Sequence, residues 1–189
     1  MKWRDEVERV HRVSNMLASG HANLCDRYRS RAAMLDILIL MLSSWLVAVV
    51  FIEPRIRTKL TPLGLDPQIW VGLLGIFTFL LTVFQLSVNW KGRSDAHRRS
   101  LDMYVNVKRE CRYLLDSERE LDFENCKGVM ARYDLAATVG TPLSEKEFLY
   151  QKRHHVQKLA ISRRLGTHPG TSIAMLRVKM WWKDNFESN

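Results

Sequence analysis

Two uninterrupted apolar stretches dominate the pattern of this chain. Residues 33–52 carry one charge, Asp36, and residues 69–88 (IWVGLLGIFTFLLTVFQLSV) carry none. Each stretch is 20 residues long, which as a helix is about 30 Å, the thickness of a bilayer's hydrocarbon core. A soluble core helix can be this apolar, but rarely twice in so short a chain. The pattern therefore predicts two transmembrane helices.

The flanking sequence reads as helix throughout. Trp3, Val7, Val10, Ser14, Leu17, His21, Leu24 and Tyr28 recur at alternating steps of four and three, a heptad seam with Ser14 and His21 as its polar positions. Such a seam packs either on the chain's own later helices or on a neighbouring subunit. After the second stretch, His97, Leu101, Tyr104, Lys108, Cys111 and Leu115 keep a similar spacing, and Gly92 marks a bend where that helix begins. Further helices are predicted over 125–139, over about 144–165 behind the Ser144/Glu147 capping box, and over 172–186 behind Thr171. Thr141-Pro142 and the group Gly166, Pro169, Gly170 separate them. Nothing alternates with period two. The expected fold is an all-α membrane protein. It has an N-terminal cytoplasmic helix (1–32), transmembrane helix 1 (33–52), a short external loop (53–68), transmembrane helix 2 (69–88) and a cytoplasmic helical domain (89–189).

Charge sets the orientation. The mean hydropathy of −0.19 looks soluble only because the rest of the chain is so polar. Arg27, Arg29 and Arg31 precede the first span, and Lys91, Arg93, Arg98 and Arg99 follow the second. The connecting segment carries Arg55, Arg57 and Lys59. This bias predicts cytoplasmic termini. The first span lies behind the charged segment MKWRDEVERV, as expected of an uncleaved membrane protein rather than a signal peptide. The net charge is +9, but basic and acidic residues are interleaved and no nucleic-acid motif appears, so no nucleic-acid partner is expected. Cys25, Cys111 and Cys126 form neither a disulfide framework nor a CxxC site. No nucleophile elbow, phosphate loop, H-E-x-x-H or dinucleotide fingerprint is present, so neither an enzyme nor a cofactor is expected.

Candidate sites follow from polar residues in apolar surroundings. In the second span Gly72, Gly75, Thr78, Thr82, Gln85 and Asn89 fall near one helix face. That face either lines a pore, meets other copies, or packs in an ordinary helix contact. Packing is the plainer reading for Gly72, Gly75 and Thr78. For Gln85 and Asn89 the two readings balance, because a carboxamide facing lipid needs a partner or water. Asp36 either marks a functional site or anchors at the headgroups, where it can pair with Lys91 or Arg93. Ser43 and Ser44, two turns on, can face the stripe beside it. Lys91, Arg93, His97, Arg98, Arg99, Tyr104 and Arg109 are candidates for an anionic lipid or phosphate ligand, although positive-inside charge is the plainer reading of the basic ones. His154 and His155 are adjacent and so point to different helix faces, which disfavours a metal site. The last helix, with Met180, Trp181, Trp182 and Phe186 among Arg and Lys, either lies on a membrane surface or packs in the cytoplasmic domain.

Residues 89–110 read NWKGRSDAHRRSLDMYVNVKRE. A polar helix leaving a second span, with Lys91, Ala96-His97, Tyr104 and Arg109-Glu110, resembles the SLATT group. These are the two-span effectors that associate with SMODS and SLOG proteins in bacterial conflict systems. The layout of an N-terminal helix, paired spans, a short loop, a long helix and a proline break is similar across nearly the whole chain. The resemblance implies a homo-oligomeric effector that permeabilises the bacterial inner membrane in abortive infection, held silent until infection is sensed. It also implies a trigger: a nucleotide second messenger, or a nucleotide-synthesising or reverse-transcriptase partner. Two spans cannot enclose a water path alone, so a pore demands an oligomer. The competing expectation is a membrane-tethered adaptor that holds a cytosolic enzyme at the bilayer without forming a pore.

Overall fold

A computed structural model describes residues 2–51, 66–117 and 122–186. Among these, six helices account for nearly everything and no strand occurs. They are α1 (Lys2–Phe51), α2 (Pro67–Val88), α3 (Trp90–Asp116), α4 (Phe123–Val139), α5 (Glu145–Thr167) and α6 (Ile173–Phe186). The N-terminal helix and the first apolar stretch, which the sequence pattern separates at residue 32, are one helix. No proline interrupts α1, and its one glycine, Gly20, lies well before the apolar stretch. Most of the connecting segment, with Pro54, Arg55, Arg57, Lys59, Pro62 and Gly64, lies outside the described residues. Asp66 opens α2 by accepting a 2.8 Å hydrogen bond from the Gln68 amide, and Pro67 occupies the first helical position.

The chain divides into two compact units, Leu24–Asp95 and Met1–Asn23 with Ala96–Asn189. In the first, α1 and α2 run antiparallel. Cys25 sits at Ser94, where the Ser94 hydroxyl donates to the Cys25 carbonyl at 3.1 Å, and Asp36 sits at Gln85. Ala32, Leu35, Val49 and Leu74 are buried. Met34, Ile37, Leu40, Met41, Ile69, Ile76, Phe79 and Leu86 are exposed. Both helices are long and apolar enough to cross a membrane, and almost none of either apolar window is covered by protein. A pair of soluble core helices would instead bury these side chains.

The second unit has an ordinary apolar core. Val7 and Val10 of α1 meet Val107 and Cys111 of α3 and Cys126 and Val129 of α4. Ala18, Tyr104 and Ala136 continue the packing. The heptad seam thus packs on the chain's own later helices, at about 1.5–3 kcal/mol for each fully buried aliphatic side chain. An ion pair from Arg132 of α4 to Glu110 of α3 braces the outside. α5 joins through Gln151: Asn23 Nδ2 donates to Gln151 Oε1 at 2.8 Å, and a Cβ on Gly20 would come within 3.2 Å of Gln151 Cβ. Ser144 caps α5, accepting from the Glu147 amide at 3.3 Å. Thr171, the cap that the sequence suggests for the last helix, lies instead in the preceding turn. Its amide donates to the His168 carbonyl there, and α6 starts at Ile173.

Candidate functional site

A polar cluster joins the two apolar helices. Asp36 of α1 accepts a hydrogen bond from Gln85 Nε2 of α2, and Lys91 Nζ lies 3.1 Å from its other carboxylate oxygen. Of the pairings open to Asp36 in the sequence, the one with Lys91 forms. The stripe's Gln85 supplies a second contact. A carboxylate beside apolar helices is costly unless its charge and lone pairs are met, and here a cation and an amide meet them.

Asn89 aims Lys91 at this site. It sits in the left-handed region (φ 48°, ψ 51°) between α2 and α3. Its amide donates to the Gln85 carbonyl at 3.1 Å, closing α2. Its side-chain oxygen accepts from the Gly92 amide at 3.1 Å, opening α3. Asparagine tolerates this backbone better than most residues and is a strong N-cap, so one residue ends one helix and starts the next. The break between the helices therefore lies at Asn89, not at Gly92. Gly92 makes room for it, since a Cβ there would meet the Asn89 side chain at 2.6 Å.

The rest of the stripe behaves differently from its polar end. Thr78 Oγ1 donates to the Leu74 carbonyl at 2.8 Å and Thr82 Oγ1 to the Thr78 carbonyl at 2.9 Å, so both hydroxyl protons are used within their own helix. Gly72 and Gly75 face open space, with nothing within 4 Å of where a Cβ would stand. They do not serve a close α1–α2 crossing. Ser43 is half-buried and Ser44 exposed.

The basic group divides as well. Arg93, Arg98, Arg99 and Arg109 are exposed, whereas His97 and Tyr104 are buried in the helical unit. Grouping those two with a lipid- or phosphate-facing surface is corrected by their burial: the α3 seam turns them inward. His97 Nδ1 lies 3.0 Å from His21 Nδ1 of α1, so one ring donates and the other accepts. Tyr104 stacks on His21 at 5.6 Å between ring centres. Burial, and then the neighbouring His97, pushes the pKa of His21 down to about 4. Burial also lowers that of His97, against the opposing charge of Glu147. The sequence pattern does not pair these rings, although a histidine in each of two inward seams is the signal that could have done so. His155 is buried and His154 half-buried, as expected for neighbours on different faces.

Among the described residues no group of three or more His, Cys, Asp or Glu is placed to hold a metal ion. The chain matches no protein-family model, no curated protein and no solved structure.

Proposed function

We propose that this chain is a two-span membrane effector that assembles with copies of itself and permeabilises a bacterial inner membrane during abortive infection. The observation that carries the reading is the hairpin Leu24–Asp95. It leaves two bilayer-length apolar surfaces uncovered while pairing the half-buried Asp36 carboxylate with Lys91 and Gln85. Lipid is the environment in which such a surface is stable. Self-assembly is supported by Gly72 and Gly75, whose open notches on α2 admit close approach of another helix. Both termini are then cytoplasmic, and release of the pore follows a nucleotide messenger or a partner enzyme, as the SLATT resemblance implies. Reconstitution into liposomes followed by dye efflux tests it.

One observation favours the adaptor reading instead. Thr78 and Thr82 donate to their own helix and Gln85 is committed to Asp36, so the stripe offers a water path few free donors. On that reading the hairpin is an anchor, and the helical unit recruits a cytosolic enzyme.

A further inference from the structure

α6 is apolar on two faces, and α5 explains only one of them. Leu176 and Met180 are half-buried on the side that packs toward α5. At 100° per residue, Met175, Val178, Trp182 and Phe186 form a second stripe on the far side. They are 73%, 65%, 55% and 62% exposed. The rings of Trp182 and Phe186 lie 4.7 Å apart and make a continuous aromatic plate. Lys179 and Lys183 line one edge of this stripe, and with Met175, Val178 and Trp182 they border a shallow groove. Asp184, the one acidic residue of α6, projects on the opposite side.

We infer that this face docks on the surface of an anionic bilayer, with α6 lying in the headgroup plane. The inference rests on the reading of the hairpin as membrane-inserted, which tethers α6 to a membrane. The chemistry of the face matches that setting. Tryptophan favours the headgroup boundary, where its ring is buried and its N–H stays wet. Lysines at the edge of an apolar stripe extend their stems along it and place their ammonium groups at lipid phosphates. A second copy is a poorer occupant. Antiparallel face-to-face packing of two such stripes brings lysines together, with no carboxylate on that face among the described residues of α6 to balance them. A soluble acidic partner would satisfy the lysines but leaves the choice of two aromatic rings unexplained.

The test uses the full chain, reconstituted into vesicles of phosphatidylcholine alone or with phosphatidylglycerol added, carrying an environment-sensitive fluorophore on V178C. Cys25, Cys111 and Cys126 are buried, so the introduced thiol is the one labelled. Resistance to alkaline extraction reports hairpin insertion separately. The expected result is blue-shifted emission in the anionic vesicles, quenched by nitroxide lipids. Docking should weaken about fivefold for each lysine removed by K179Q or K183Q. It should be lost in the W182S/F186S variant, whose altered side chains face away from the helical unit's core. Inserted protein whose label stays in water in both vesicles overturns the inference and leaves the membrane reading standing. A buried label that ignores lipid charge and is released on dilution with empty lipid assigns the face to a second copy and also overturns it. A label that is shielded regardless of lipid charge, lysines and dilution assigns the face to the protein's own packing and overturns the inference as well. A chain that is extracted at alkaline pH removes both readings together.

Discussion

Asp36 and Gln85 stand 49 positions apart and join the two apolar helices through a direct amide-to-carboxylate hydrogen bond, with Lys91 closing the carboxylate's other side. This polar contact fixes the register of the hairpin. The apolar side chains around it can slide past one another at little cost, whereas a displaced carboxylate loses both partners.

The first prediction concerns that contact. Gln85→Leu leaves Asp36 with Lys91 alone and should destabilise the hairpin by about 1–3 kcal/mol. Asp36→Leu leaves the Gln85 amide unpartnered at similar cost. The double variant should be less destabilised than the sum of the two, giving a coupling of about 0.5–3 kcal/mol by urea or SDS unfolding in micelles. Additive effects would show that the two side chains do not cooperate.

A second prediction separates backbone from side chain at Asn89. Asn89→Ala places a Cβ residue in the left-handed region and removes the cap on the Gly92 amide, for a loss of about 2 kcal/mol or more. Asn89→Gly accepts the backbone and should cost only a few tenths. Circular dichroism through thermal unfolding reads the difference, and equal losses would contradict it. Gly92→Ala should resemble the alanine variant, because its Cβ displaces the capping side chain.

The buried histidines make stability depend on pH. His21 has a folded pKa of about 4, below the ordinary value of 6.5, so the unfolded chain binds the proton more readily. The stability this contributes is complete above about pH 6.5 and is lost as pH falls toward 4, by about 1.4 kcal/mol for each pH unit at full effect. The Tyr104 ring stacks on His21, and the Glu147 carboxylate opposes the fall at His97. The melting temperature in micelles should fall through this window. His21→Gln should flatten the slope, and a slope that survives in His21→Gln/His97→Gln would place its origin elsewhere.

Gly75 tests the assembly. Nothing within 4 Å occupies the space beside it, so Gly75→Leu should leave the single chain folded and inserted while reducing cross-linked oligomers in membranes. Leucine at Phe77, exposed and two residues on from Gly75 and so on the opposite side of α2, should change little. Unaltered cross-linking in Gly75→Leu would move the contact to another face.

Much of the helical layout is legible in the sequence because it rests on long-range composition. Two 20-residue apolar stretches and the Ser144 capping box need no tertiary information. The break at Asn89 is not legible. Its left-handed backbone depends on a side chain folding onto the Gly92 amide, and in sequence the glycine is the louder signal. His97 carries two conflicting signals. Its neighbours Arg98 and Arg99 mark a surface, whereas its spacing to Leu101 and Tyr104 marks an inward seam, and packing follows the seam. Asp36 can be matched to Lys91 by depth alone, but Gln85 becomes its partner only once α1 and α2 are paired. Gly72 and Gly75 read most plainly as packing residues of the hairpin. That they face open space is a property of how α1 and α2 pair, which no local pattern encodes.

The most direct test of the central claim is dye efflux from liposomes containing the purified full chain, with Gln85→Leu and Gly75→Leu chains inserted at equal level as comparisons. Leakage should rise more steeply than linearly with protein-to-lipid ratio, as an oligomer requires, and should fall in both variants. Inserted protein that leaves the dye enclosed at every ratio, while still recruiting a soluble partner, would contradict the pore and make the hairpin an anchor.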